Sequence, residues 1–239
     1  MIIDCIADLH GHFPTLEGGD LLIVAGDLTA HDTLEEHSDV LNWIHKQHYR
    51  KKVLVAGNHD NFLQKHPNFY SRTTINYLCD SGTEFTYYDP LEKDGPSDVK
   101  RTTYKIWGSP WTAQFPGINP KCCAFTEDVG CDTDFWLDEH WQKIPDDTDI
   151  LVTHGPSKLM HDKTIYDENV GSSSLLSWTA NHANSLKLHV YGHIHEGYGI
   201  WDQRKLQKQF NGREGSVFVN CSHVNEKYKP VNKPVRVIL

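Results

Sequence analysis

Five short apolar runs constrain this chain more than any other feature, because each stops abruptly at Asp, Asn or His. They are Ile2 to Ala7 before Asp8, Leu21 to Ala25 before Gly26-Asp27, Val53 to Ala56 before Gly57-Asn58-His59-Asp60, Ile150 to Thr153 before His154, and Leu186 to Tyr191 before Gly192-His193-Ile194-His195. Unbroken runs of this length, rich in Ile, Val and Leu, read as strands buried on both faces. Helical patterns lie between some of them. Asp32 to Tyr49 opens on an Asp-x-x-Glu capping pattern and sets Leu34, Leu41, Ile44 and His48 at roughly helical spacing; Asp134 to Ile144 and Ser172 to Ala183 are two more. From Ile75 to Ser109 aromatic residues fall in short alternating runs broken by Gly and Pro, which predicts a strand-rich half. The pattern predicts an α/β fold with two packed sheets and helices outside, and nothing repeats at a fixed period.

The chain has 239 residues, enough to bury a core without disulfide or metal staples. With 38% hydrophobic residues and a mean hydropathy of −0.55 it reads as a soluble globular protein, and no stretch approaches the roughly 18 apolar residues of a membrane span. Lys and Arg number 23 against 32 Asp and Glu, a net charge of −9, which argues against a duplex nucleic-acid coat or a membrane-surface protein. The charge is uneven. Trp201 to Leu239 holds eight bases and three acids, 8 − 3 = +5, and reads mainly as a solvated face; the other 200 residues carry −14. The six cysteines form no C-x-x-C pair, and Cys122 and Cys123 are adjacent, so zinc-ribbon and redox-motif readings have no support. The opening Met-Ile-Ile-Asp lacks the form of a secretory signal, which points to a cytoplasmic protein with reduced thiols and leaves the Asn220-Cys221-Ser222 sequon without meaning.

In open α/β sheets ligands bind beyond the carboxyl ends of strands, so the five polar clusters should converge. Together they offer two carboxylates, one amide oxygen and four imidazoles. Oxygen and nitrogen donors without thiolate suit Mn, Fe, Zn or Co. Seven donors are too many for one ion. They suit two ions sharing a carboxylate, an arrangement that clamps both the attacking and the leaving oxygen of a phosphate ester.

Asp8-Leu9-His10, Gly26-Asp27, Gly57-Asn58-His59-Asp60, His154-Gly155-Pro156 and Gly192-His193-Ile194-His195 appear in the order found in the calcineurin-like metallophosphoesterases, which the chain resembles. Within that superfamily it is most similar to the metallophosphoesterase-domain-containing brain proteins and their class III cyclic-nucleotide phosphodiesterase relatives. That likeness rests on Thr153-His154-Gly155-Pro156, His193-Ile194-His195-Glu196-Gly197-Tyr198-Gly199, Gly108-Ser109-Pro110-Trp111-Thr112 and Tyr228-Lys229-Pro230-Val231-Asn232. It spans essentially residues 1–239 and implies one metallophosphoesterase domain, a four-layer α/β/β/α sandwich of two mixed sheets flanked by helices. It also implies two divalent or transition-metal ions: Asp8, His10 and His195 on one, Asn58, His154 and His193 on the other, and Asp27 bridging. The implied nucleophile is a hydroxide held between the ions, with His59 assisting the leaving oxygen. Two divalent ions bring +4 against Asp8 and Asp27, so an acidic chain can hold a cleft of about +2.

One departure matters. Many relatives carry an acidic residue three positions after the bridging Asp, where it orients the catalytic histidine; this chain has Ala30, with His31 and Asp32 as neighbours that could substitute. Asp60 is expected either behind the ligands or in a plain turn or helix cap. His12 is a candidate substrate contact, with an exposed loop position as the alternative. Trp111 and Phe115 are candidates to stack a base, with core packing as theirs. Gly26-Asp27-Leu28-Thr29 lacks the Asp-Arg-Gly of protein serine/threonine phosphatases, which disfavours a phosphoprotein. The function implied is a phosphodiesterase acting on a small phosphate ester, foremost a cyclic nucleotide. The alternatives are a catalytically weak nucleotide-binding or interaction protein that keeps the fold, and a nuclease or phosphomonoesterase of the same superfamily.

Overall fold

The computed structural model describes residues 1–71, 73–90, 99–114, 121–127, 133–205 and 215–239. In chain order its elements are β1 (Ile2–Ile6), β2 (Gly19–Ala25), α1 (Leu34–Lys46), β3 (Tyr49–Val55), α2 (Asn61–Lys65), β4 (Asn76–Tyr77), β5 (Ser81–Pro90), β6 (Val99–Ser109), β7 (Thr112–Ala113), β8 (Thr126–Glu127), α3 (Thr133–Trp141), β9 (Ile150–Thr153), α4 (Ser173–Asn181), β10 (Leu188–Tyr191), β11 (Gly199–Asp202), β12 (Val217–Asn220) and β13 (Val235–Ile238). Two mixed sheets result. One runs β13-β1-β2-β3-β4 and the other β11-β12-β10-β9-β6-β5; β7 and β8 form a separate pair. In the first sheet β1 to β4 are parallel and β13 is antiparallel; in the second β6, β9, β10 and β12 are parallel, edged by antiparallel β5 and β11.

The two-residue period of a strand explains how the layers stack. Ile3, Cys5, Leu21, Ile23, Val53 and Val55 turn to the second sheet and meet Phe85, Ile106, Ile150, Val152, Leu188 and Val190 in the central core. Their neighbours Ile6, Leu22, Val24 and Leu54 face outward and are covered by Val40 and Ile44 of α1. On the far side Leu151 packs with Leu137 and Trp141 of α3 and with Leu175 and Trp178 of α4. The order is therefore α/β/β/α, as the resemblance implies. Such strands are apolar at most positions, which is why the runs are so rich in Ile, Val and Leu; Asp4 in β1 and His189 in β10 are buried polar exceptions.

Two expectations change. Helix α1 starts at Leu34, with Thr33 and Glu36 forming a capping box, rather than on Asp32 and Glu35. Its buried face is His37, Val40 and Ile44, and Leu34 is 58% exposed. The basic tail is more than a solvated face: β12 lies inside the second sheet, β13 edges the first, and Arg236 pairs with Asp4 and Glu17. Asn220 is fully buried on β12, so its sequon cannot meet a glycosylating enzyme in the folded state. Among the described residues no helix is long and apolar enough to cross a membrane.

The parallel strands bring their carboxyl ends together. Asp8 N–H donates to the Gly26 carbonyl (2.9 Å), Gly192 N–H to the His154 carbonyl (2.9 Å), and Ala7 bridges to Ser222. Residues 8, 27, 58, 154 and 193 thus start from one rim.

Two outcomes follow from this packing. Ile23→Ala, in the central core, is expected to cost about 2–5 kcal/mol in urea unfolding, while Leu34→Ala changes stability by less than about 0.5 kcal/mol. The second concerns pH. His189 is fully buried on β10 with Nε2 2.8 Å from the Thr153 hydroxyl, and burial pushes its pKa down from 6.5 to about 3. Between those values the unfolded chain binds a proton that the folded chain does not. The stability owed to neutral His189 is complete above pH 6.5 and is lost as pH falls through that window, at a slope of up to about 1.4 kcal/mol per pH unit. Unfolding of His189→Gln followed from pH 7 to 4 should lack that slope.

Candidate metal centre

The rim residues enter in unusual backbone conformations. Asp8, His10, Asp27 and His193 all have positive φ, at 52°, 41°, 52° and 68°. Asp and His tolerate this region better than most side chains, and strain of this kind persists where the surroundings over-determine it. Each such turn aims a side chain inward from a strand end instead of along the strand. The preceding glycines leave room. A Cβ on Gly57 would lie 2.2 Å from Asp27 Oδ1 and 2.6 Å from His154 Cε1, and one on Gly192 would lie 2.2 Å from Asp8 Oδ2.

Asp27 is the meeting point. Its Oδ2 lies 3.6 Å from His10 Nε2 and 3.8 Å from His59 Nε2, and its Oδ1 lies 3.3 Å from His154 Nε2 while accepting the backbone N–H of His59 (2.9 Å). On one side Asp8, His10, Asp27 and His195 bring their donor atoms within 4.8 Å of one another. On the other, His154 Nε2 is 2.9 Å from Asn58 Oδ1, and the His193 ring lies 4.9 Å from that of His154. Asp8 accepts the backbone N–H of His193 and sits 3.7 Å from His195 Nε2.

The electrostatics follow from burial and pairing. Burial works against ionising Asp8 and Asp27, yet both carboxyls are held below their usual range, Asp8 by His195 and Asp27, further, by His154 and His59. Burial pushes His10 down to about 4 and His193 to about 3, the latter helped by His154. Burial opposes charge on His154 too, but Asp27 raises it to about 9.

This donor set fits metal ions. His154 directs Nδ1 to the Ala25 carbonyl (3.0 Å) and His195 directs Nδ1 to the Asn225 carbonyl (3.1 Å), which leaves both Nε2 atoms facing carboxylates, the habit of metal-ligating histidines. His10 Nε2 is buried without a hydrogen-bond partner and faces Asp27 Oδ2. A cation there would satisfy it.

His59 stands at the mouth, its ring 4.7 Å from that of His10 and its Nδ1 3.4 Å from Cys122 Sγ. Among the described residues neither suggested substitute for a carboxylate at position 30 is hydrogen-bonded to it. The Asp32 carboxylate pairs with His37 Nε2 (3.0 Å) and accepts the N–H of Phe62, the first turn of α2; His31 N–H donates to Glu36. Asp60 therefore does not cap α2. Its buried carboxylate accepts from Gly57 N–H (2.7 Å) and Leu28 N–H (3.1 Å), tying the two loops that carry Asn58 and Asp27; burial and then Asp27 push it up to about 7.

Tyr228 was not singled out by sequence reasoning, yet its ring lies 4.7 Å from His10, 5.5 Å from His195 and 6.0 Å from His59. It divides the mouth into two clefts. One, of about 490 Å³, is walled by Ile165 and Tyr166 together with Glu168, Glu196 and Glu226; the other, of about 640 Å³, is lined by His12, Ala30, His31 and Lys121. His59 and Cys122 border both. Ile165 and Tyr166 are 63% and 77% exposed, the most apolar wall in reach of the centre. Trp111 lies elsewhere, flat against His140 (4.0 Å) and edge-on to Phe125, and lines neither cleft. Phe115 lies outside the described residues. The sequence marks Tyr228 only through the resemblance at residues 228–232, and Cys122 only as half of an adjacent pair.

Comparison with known proteins gives four findings. The family model described as calcineurin-like phosphoesterase matches residues 1–197. "Metallophosphoesterase domain-containing protein 1" of Homo sapiens is 30% identical over 253 residues, covering 98% of this chain and 70% of that protein. "Probable rhamnogalacturonate lyase C" of Emericella nidulans is 33% identical over 217 residues, covering 87% of this chain, which spans only 19% of that protein's length. A crystal structure with 12% identity superposes with a TM-score of 0.52, covering 92% of this chain and 89% of the other, a likeness of fold.

The close approaches at Gly57 make it a test of the centre that replaces no donor residue and acts by displacing Asp27 and His154. Gly57→Ala is expected to fold, by circular dichroism, but to lose about 10–100-fold in affinity for Mn²⁺ by calorimetry, as changes to the groups that position ligands typically do.

Proposed function

Because the chain belongs to the calcineurin-like phosphoesterase family, we propose that it is a metal-dependent phosphodiesterase acting on a small phosphate ester, foremost a cyclic nucleotide. The observation that carries this reading is the shared carboxylate of Asp27, with His10 and His59 at one oxygen and His154 at the other. We assign Asp8, His10 and His195 to one ion, Asn58, His154 and His193 to a second, and Asp27 to both, with Mn, Fe, Zn or Co as the candidates. Bound there, such ions supply Lewis acidity and bring the pKa of water toward neutrality. The residues of the chain do the rest. Asp60 keeps the loops of Asp27 and Asn58 in register, Ala25 and Asn225 fix the tautomers of His154 and His195, and His59 gives a proton from Nε2 to the leaving oxygen.

The clefts favour a small substrate. A cavity of about 490 Å³ lies within the usual size of a ligand pocket. Its apolar wall of Ile165 and Tyr166 suits a base or another flat group, while Glu168, Glu196 and Glu226 repel further phosphates. Oligonucleotides and polyphosphates are disfavoured on that ground, in keeping with the net charge of −9. His12 remains a candidate contact in the second cleft. We infer further that residues 1–239 act as one domain in the cytoplasm, where the free thiols of Cys5, Cys79, Cys122, Cys123 and Cys221 would stay reduced.

Metal-loaded protein should hold up to two ions by elemental analysis and hydrolyse bis(p-nitrophenyl) phosphate and cyclic nucleotides, with Asp27→Asn lowering kcat/KM by about 100-fold or more. Wild-type turnover in Asp27→Asn overturns the reading. Metal-dependent nucleotide binding without turnover across diesters and monoesters would support a weak binding protein instead.

A further inference from the structure

We propose that Cys122 is the positioning residue of His59, taking the orienting role that a carboxylate at position 30 cannot fill in this chain. The inference rests on the phosphodiesterase reading above, in which His59 protonates the leaving oxygen. Cys122 Sγ lies 3.4 Å from Nδ1, while Nε2, on the opposite edge of the ring, faces Asp27 Oδ2 at 3.8 Å. The sulfur contact therefore turns the proton-carrying edge inward. Among the described residues no other side-chain atom is hydrogen-bonded to Nδ1, since Asp32 is engaged by His37 and Phe62 and Ala30 has nothing to offer.

Cys122 is itself held firmly. Its carbonyl accepts from Asn58 Nδ2 (3.3 Å), and the N–H of Ala124 donates to the Asn58 carbonyl (3.1 Å). Ala124 and Phe125 are buried in the core outside the first sheet, so this short segment clamps the Asn58-His59 turn from outside. Burial and nearby Asp27 push the thiol up to about 11, so the partner of Nδ1 is neutral where a carboxylate would be charged. The proton balance is simple. The imidazolium donates Nδ1–H to Sγ and Nε2–H to the leaving oxygen; as the P–O bond breaks, the Nε2 proton moves to that oxygen and a neutral Nδ1–H imidazole remains. The thiol keeps its own proton throughout.

The leaving group provides the test. A p-nitrophenolate leaves without much help, whereas the alkoxide of a nucleoside cyclic phosphate needs the proton. Cys122→Ala is expected to lower kcat about 10-fold on the cyclic phosphate, a fraction of the 10²–10⁴ that general acids supply. Turnover of bis(p-nitrophenyl) phosphate, whose leaving group needs little protonation, should fall several-fold less than turnover of the cyclic phosphate. Cys122→Ser should restore most of the loss, and adding Cys122→Ala to His59→Ala should cost nothing more. In metal-free protein the ¹⁵N signal of His59 Nδ1 should shift in Cys122→Ala, which reads the contact without turnover. Equal losses on both substrates, a further loss in the His59→Ala background, or an unmoved Nδ1 signal overturns the role of Cys122. If His59→Ala itself treats both substrates alike, it is the acid role of His59 that fails.

Discussion

One buried carboxylate organises this molecule. Asp27 is almost fully buried, yet it gathers the edges of three imidazoles and one backbone N–H around two oxygens. An ionised carboxylate in such a place is costly unless opposite charge and hydrogen bonds surround it. The groups that answer it come from both sheets: His10 and His59 follow strands of the first, and His154 follows a strand of the second. The demand of one charge thereby couples the two sheets at their carboxyl rim, and the contacts of the central core do the same below it.

The rim geometry has a cost that the core offsets. Four inward-aimed residues hold left-handed backbone, each worth roughly 1–2 kcal/mol against an ordinary conformation. A single buried aliphatic side chain contributes about 1.5–3 kcal/mol, and the central cluster between the sheets holds many. Rigid, fully buried strands are thus what allows the strained turns to persist. Asp60 extends the same logic, joining the two loops through backbone hydrogen bonds although its own position disfavours charge.

Much of this was legible in the residues. Strands buried on both faces are apolar at most positions, so the five strands bearing the clusters could be read even with Asp4 and His189 inside two of them, and the change to Asp, Asn or His marks where each run leaves the core. Other elements were hidden for physical reasons. Strands β12 and β13 sit among many Lys and Arg, and four-residue strands leave little period to detect. The start of α1 was displaced because Asp32-x-x-Glu35 and Thr33-x-x-Glu36 are equally good capping patterns, and only the use of Asp32 by α2 and His37 decides between them. Trp111 could be placed only by knowing that His140 lies beneath it. Cys122 and Tyr228 reach the centre from segments 63 and 169 positions beyond His59, 122 − 59 and 228 − 59, with no spacing rule to announce them.

The acidic surplus of the chain acquires a specific meaning in this arrangement. Carboxylates at the floor of the centre suit metal cations, whereas Glu168, Glu196 and Glu226 stand in the wall of one cleft, where they meet whatever the phosphate carries. All three glutamates are exposed, so solvent and salt screen them, and each disfavours a further phosphate charge about 8 Å away by no more than roughly 0.5 kcal/mol. A singly charged diester brings only the charge that the centre itself neutralises, so the same walls leave it untouched. The acidic surplus is thus compatible with the phosphate chemistry proposed above, because the cation-binding donors lie at the floor and the glutamates in the wall of one cleft.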